Sequence, residues 1–180
     1  MNNQNRHLVI NVVLFQATWF SLVMGPLLLA GVLLVSLLIH AGLSSENLKR
    51  EIGFALCVVC FGVISDSLMR VSNVYTLPSS SLFGQYLIPS WLMLLWVAFS
   101  FSLKRSLNWM FAMPKLMLLL LMIAGPVSYY VGSQLNADRI QIEYDLMHWM
   151  FVQWAALALI IFGLHLAFYR AESGKEHSGY

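Results

Sequence analysis

The chain has 180 residues, of which 59% are hydrophobic and 10% charged, with a formal net charge of +2 and a mean hydropathy of +0.74. Soluble domains carry roughly a quarter charged residues, so this composition excludes a water-soluble globular domain and points to an integral membrane protein. The charge is too small to suggest nucleic acid as a partner, and the only two cysteines, Cys57 and Cys60, share one apolar stretch, which argues against a disulfide framework.

The first apolar run extends from Leu8 to Ile39, about 48 Å as a single helix, well beyond a hydrocarbon core of about 30 Å. Gly25-Pro26 lies near its middle, where the chain can turn and proline can open a new helix. Two short helices, Leu8 to Met24 and Pro26 to His40, are expected in preference to one kinked helix. No A-x-A-like cleavage site follows the run, so it reads as a retained segment rather than a signal peptide. Ala41 to Glu51 is polar and forms the first aqueous loop, with Ser44 or Ser45 expected to cap the next helix.

The third span runs from Ile52 to Val71. Ser72 to Ile88 carries Tyr75, Phe83 and Tyr86 among serines, Pro78 and Gly84 but no charge, and reads as a loop at the membrane interface. Pro89-Ser90 opens a short fourth span, Trp91 to Leu103, ended by Lys104-Arg105, and Ser106 to Lys115 reads as a connector along the membrane surface. The fifth span, Leu116 to Val131, is expected to be interrupted at Gly125-Pro126, where proline frees a backbone carbonyl. Gly132 to Asp145 is polar, and the last span covers Leu146 to Phe168.

Six spans place both ends on one side. Eight of the ten basic residues (Arg6, Lys49, Arg50, Lys104, Arg105, Lys115, Arg170 and Lys175) then share that side, which the positive-inside rule makes cytoplasmic. Five spans would move only Arg6, so charge does not decide the hairpin question. The expected architecture is an all-α, polytopic membrane bundle of six helices, N-in and C-in. Residues 1–170 form a single domain, and residues 171–180 are a disordered cytoplasmic tail.

Asp66 and Arg70 lie inside the third span. A carboxylate in hydrocarbon costs about 2.5 to 3.5 kcal/mol on insertion scales, so Asp66 must face protein or water and find a partner. Arg70 sits one turn later on the same helical face, where the two side chains can meet. Helical rise places Asp66 about 21 Å along the span, in its outer third. Orientation brings Trp91, Tyr129, Tyr130 and His148 to a similar level. Asp66, Arg70, Trp91, Tyr129, Tyr130 and His148 are therefore the candidate ligand-binding residues. Three readings stand side by side: a structural ion pair with the arginine snorkelling to the headgroups, a polar pocket for a lipid headgroup or small amphiphile, and a proton or ion pathway. The aromatic residues serve equally as interfacial anchors.

Other features carry less. Cys57-Val-Val-Cys60 has C-x-x-C spacing but no histidine nearby, so both cysteines are expected to pack. His40, His148 and His165 are scattered in depth, and neither a metal nor a cofactor is expected. Asn11 and Gln16 are expected to hydrogen-bond between helices, and Gly53 and Gly62 to allow close helix approach. Local catalytic signatures such as a phosphate loop, H-E-x-x-H or G-x-S-x-G do not occur, so no catalytic residue is assigned.

Five stretches together carry a resemblance: N-x-x-L-F-Q-x-x-W-F (Asn11 to Phe20), D-S-L-M (Asp66 to Met69), P-S-W-L-M-L-L-W-V-A-F (Pro89 to Phe99), S-L-N-W (Ser106 to Trp109) and G-P-V-S-Y-Y-V-G (Gly125 to Gly132). In this order they resemble a family of small proteobacterial inner-membrane proteins classed as a domain of unknown function (domain of unknown function 2878). The resemblance implies a multi-pass protein of the bacterial inner membrane with no assigned activity, often encoded near lipid-modifying enzymes. Membrane lipids and a protein of lipid metabolism are the partners it implies. The expected function is binding of a lipid or small amphiphile in an outer-leaflet polar pocket around Asp66 and Arg70. The alternatives are a membrane-embedded lipid-modifying enzyme using Asp66 and His148 as acid and base, and a small transporter.

Overall fold

The computed structural model describes residues 3–77 and 86–169, and the side chains from residue 5 onward. The expected tail at 171–180, and Pro78, Phe83 and Gly84 of the expected interfacial loop, lie outside these residues. Among the described residues there are six α-helices: α1 (Asn3–Met24), α2 (Leu27–Leu43), α3 (Leu48–Val71), α4 (Ser90–Leu103), α5 (Pro114–Leu135) and α6 (His148–Tyr169). Four of them, α1, α3, α5 and α6, are long and apolar enough to cross a membrane; α2 and α4 are apolar but shorter. The protein is a membrane protein by this measure.

The chain breaks at Gly25-Pro26 into a helical hairpin. Pro26 is extended (φ −68°, ψ 138°) and precedes α2, so its fixed φ serves the turn and its missing N–H costs no helical bond. His7 near the start of α1 meets His40 near the end of α2, with Nδ1 and Nε2 3.3 Å apart, so the two helices run antiparallel. Helix α3 starts earlier than expected because Asn47, not Ser44 or Ser45, caps it. The Asn47 side chain accepts from the Arg50 N–H at 3.2 Å, while Ser44 instead closes the end of α2.

At its far end α3 stops on Asn73, whose φ of 56° is a left-handed conformation that asparagine tolerates. The Asn73 and Val74 N–H groups bond back to the carbonyls of Arg70 and Met69, so the chain reverses tightly. This reversal feeds β1 (Tyr75–Thr76), which pairs antiparallel with β2 (Gln141–Ile142), Tyr75 opposite Ile142. This two-residue ladder is the one departure from an all-helical fold among the described residues. It clasps the chain after α3 to the chain after α5. Tyr75, expected in an interfacial loop, is fully buried within the protein.

Helix α5 is not interrupted. It continues from Pro114 to Leu135 through Pro126, and the Ser128 hydroxyl donates to the Gly125 carbonyl at 2.7 Å. A short 3-10 helix, Asn108–Ala112, occupies the connector before it. In the core, α3 packs on α4 and α6, α5 packs chiefly on α6, and the hairpin α1–α2 leans on α4. At the centre the indoles of Trp96 and Trp154 stack, with centroids 5.5 Å apart and planes within 16°. Trp96 lies against Gly62 of α3 and Trp154 against Gly125 of α5, so a glycine, two indoles and a glycine form one continuous layer across four helices.

Candidate functional site

Asp66 is fully buried one turn beyond Gly62. Trp96 Nε1 donates to its Oδ2 at 2.7 Å, Gln153 Nε2 donates to its Oδ1 at 2.7 Å, and the Tyr129 hydroxyl donates to Oδ2 as well. Tyr75, ring to ring with Tyr129 at 5.3 Å, donates its hydroxyl to the Asp66 backbone carbonyl at 3.0 Å. Each donor comes from a different element: α4, α6, α5 and β1. Three side-chain donors converge on the carboxyl group, so both of its oxygens are satisfied without a cation. The acid thus ties α3 to three helices that follow it at a distance in sequence, α4, α5 and α6, making four segments in all, while Tyr75 of β1 holds the backbone of the same residue.

Arg70 is not part of this cluster. Its guanidinium donates to the Leu87 carbonyl and, at 3.5 Å, to that of Leu77, so it fastens the chain entering α4 to the end of α3. The expected Asp66–Arg70 pair does not form. Of the other candidates, Tyr129 joins Asp66; Trp91 is buried on the same helix as Trp96 and faces the Arg139 guanidinium at 5.9 Å. Tyr130 is exposed. His148 is also exposed, with Nδ1 3.1 Å from the Asp145 carbonyl, and no hydrogen bond joins it to Asp66. The acid and base required by an Asp66–His148 mechanism are not brought together.

Sequence reasoning missed Trp96, Gln153 and Tyr75. Gln153 was detectable: it is a lone amide in the apolar stretch 149–164 of α6, and such a group in hydrocarbon needs a polar neighbour. Trp96 and Trp91 lie on one helix, and nothing in their spacing says which turns towards α3.

Behind Trp96 and Tyr129 lies a cavity of about 550 Å³ between α1, α4 and α5, in the size range of sites for small ligands. Phe15, Trp19 and Phe20 line it from α1, Phe99 from α4, and Trp109 from the connector; Trp154 and Gly125 complete the wall beside the indole stack. None of its lining residues is charged. Gln16, expected to bond between helices, lines this cavity, whereas Asn11 is buried and accepts from the Ser106 hydroxyl at 2.7 Å. Phe20, Val127 and Val131 are lining residues that are also exposed, so the cavity opens sideways between α1 and α5. Its end nearest the α1–α2 turn is bridged. Asn136 Nδ2 donates to the Val23 carbonyl at 2.9 Å, and Arg139 donates to the carbonyls of Leu22 and Gly25.

A second polar cluster sits at the opposite end. Arg105 forms a salt bridge with Glu51 at 2.6 Å and donates to Ser44 Oγ at 2.9 Å and to the Ala41 carbonyl at 2.6 Å. It joins the ends of α2 and α4 to the start of α3. Lys104 lies 3.9 Å from the Tyr169 ring centroid, and burial pulls its ammonium below the ordinary lysine value. Cys57 is half-buried and Cys60 exposed, so Cys60 does not pack in the core as expected. No three His, Cys, Asp or Glu side chains among the described residues are grouped to hold a metal ion.

Residues 8–161 match the family described as protein of unknown function (DUF2878), and the chain belongs to that family. No curated protein and no solved structure matches it.

Proposed function

We propose that the chain crosses a bacterial inner membrane six times with both ends in the cytoplasm, and that it binds the apolar portion of a lipid or small amphiphile in the cavity between α1, α4 and α5. The basic end formed by Arg50, Lys104 and Arg105 supports the orientation, because six of the eight basic residues among the described ones lie towards it. In this reading Asp66 touches no ligand. It is a positioning residue, holding Trp96 and Tyr129 as a rigid wall, and Arg70 belongs to the loop rather than to the site.

One observation supports the proposal: an uncharged cavity of about 550 Å³, rich in aromatic residues, opens sideways between two membrane-length helices. Closely packed interiors do not leave such volume by default. A diazirine-bearing phosphatidylglycerol, photolysed in vesicles containing the protein, should label peptides of α1, α4 and α5 that line the cavity. Ala124→Trp, which fills the cavity from α5, should remove that labelling. Labelling of the exposed α2 residues Leu28, Val32 and Val35 to the same extent, unaffected by Ala124→Trp, would overturn the reading.

A further inference from the structure

Helix α1 carries two amides at membrane depth, Asn11 and Gln16. Asn11 is buried and accepts from the Ser106 hydroxyl. Gln16 differs: it is exposed, lines the cavity, and makes no hydrogen bond to any of the described residues. With Phe20 one turn further along α1, and with Val127 and Val131 of α5, it belongs to the exposed part of the lining, where the cavity opens. Water at the membrane surface is out of its reach. Along α1 it lies about 17 Å from Asn5 and about 12 Å from Met24, the limits of the apolar part of the helix. An amide held in hydrocarbon at that depth needs a hydrogen-bonding partner, and the described part of the chain supplies none.

We infer that the cavity takes an amphiphile with a hydroxyl part-way along its hydrocarbon chain, a hydroxylated acyl chain being the type, the hydroxyl accepting from Gln16 Nε2 and donating to Oε1. A hydroxyl answers both halves of a primary amide, whereas an ester or ketone oxygen answers only the NH2. The esters and phosphate of a phospholipid stay at the interface, so the group that meets Gln16 is one carried on the chain itself. That group is neutral, because no lining residue is charged and an ion at this depth would go uncompensated. Leu92, Leu95, Leu120 and Leu121, with the aromatic residues, receive the hydrocarbon on either side of it. The inference rests on the proposed cavity and adds the polar feature that its occupant carries; no covalent step is involved.

Native mass spectrometry of the detergent-solubilised full chain tests it with three esters of the same chain length: methyl ricinoleate, whose hydroxyl lies mid-chain, methyl oleate, which lacks it, and O-acetylated methyl ricinoleate, which accepts there but does not donate. Methyl ricinoleate should be retained roughly 3- to 10-fold better than methyl oleate, the span expected for one net hydrogen bond, and better than the acetylated ester. Gln16→Leu should erase the preference while still retaining methyl oleate. Because that substitution removes no bond to the described residues, it should also keep wild-type stability. Equal retention of methyl ricinoleate and methyl oleate by the wild type overturns the hydroxyl assignment, as does better retention of the acetylated ester, and a preference that survives Gln16→Leu overturns the role of Gln16. All three outcomes leave the lipid-binding cavity standing. A wild-type dimer that Gln16→Leu splits into monomers also overturns the inference, since the amide then pairs with a second copy of the chain. Retention of none of the three esters overturns both the inference and the cavity reading.

Discussion

Gly62 and Trp96 fit each other with no space between them: a Cβ placed on residue 62 would lie 2.2 Å from Cδ2 of the indole. Gly125 and Trp154 repeat the relationship at 2.0 Å. Both clashes are with rigid rings clamped in one stack, so neither can be relieved by rotating a flexible side chain.

Gly62→Ala and Gly125→Ala should therefore each destabilise the fold by about 1 to 3 kcal/mol, the usual cost of overpacking a close-packed core. Unfolding in mixed micelles of increasing dodecyl sulfate content measures this. Gly31→Ala is the control, since a Cβ there would meet nothing within 4 Å. Equal behaviour of the three variants would contradict the stack.

Asp66→Asn exchanges an acceptor oxygen for an NH2 that faces donors already in place. It should cost about 1 to 3 kcal/mol for each donor left unsatisfied, and the indole of Trp96 should become more mobile. A fall in thermal midpoint with a change in tryptophan fluorescence anisotropy is the expected result. Wild-type stability in this variant would show that the carboxylate does not organise the four segments.

Arg70→Gln should weaken the turn into α4 without touching Asp66. In a double-mutant cycle with Asp66→Asn the coupling should stay within about 0.5 kcal/mol, as for groups that share no partner. Coupling of several times that size would restore the ion pair inferred from spacing alone.

Arg105→Ala removes one member of a salt bridge whose two side chains are only 10% and 11% exposed, and strands Glu51. The loss should be about 3 to 5 kcal/mol, the range for breaking a buried pair from one side. Lys115→Ala, at an exposed position, should be near neutral in the same measurement.

Most of the fold could be read from the chain. The Gly25-Pro26 break, the helices of the third, fourth and last expected spans, and the burial of Asp66 all follow from length, breaker residues and the cost of charge in hydrocarbon. The partner of Asp66 could not be read in the same way. Spacing by one turn nominated Arg70, but a long side chain one residue from the end of α3 reaches the loop carbonyls as easily as an acid below it. Trp96, Tyr129 and Gln153 arrive from three other helices, and their meeting depends on how each helix is rotated, which nearly uniform apolar sequences do not encode. Gly62 was readable as a point of close approach. Gly125 was misread as a breaker because Pro126 follows it, whereas its role is to receive an indole.

The bridge from Asn136 and Arg139 to the end of α1 acts as a lintel over a side doorway. On the proposed reading, with that end bridged, a ligand reaches the cavity from the side, by way of the acyl chains. The bilayer would then make the first selection, by partition, and the aromatic chamber only the second. A compound confined to water would be refused however well its shape matched.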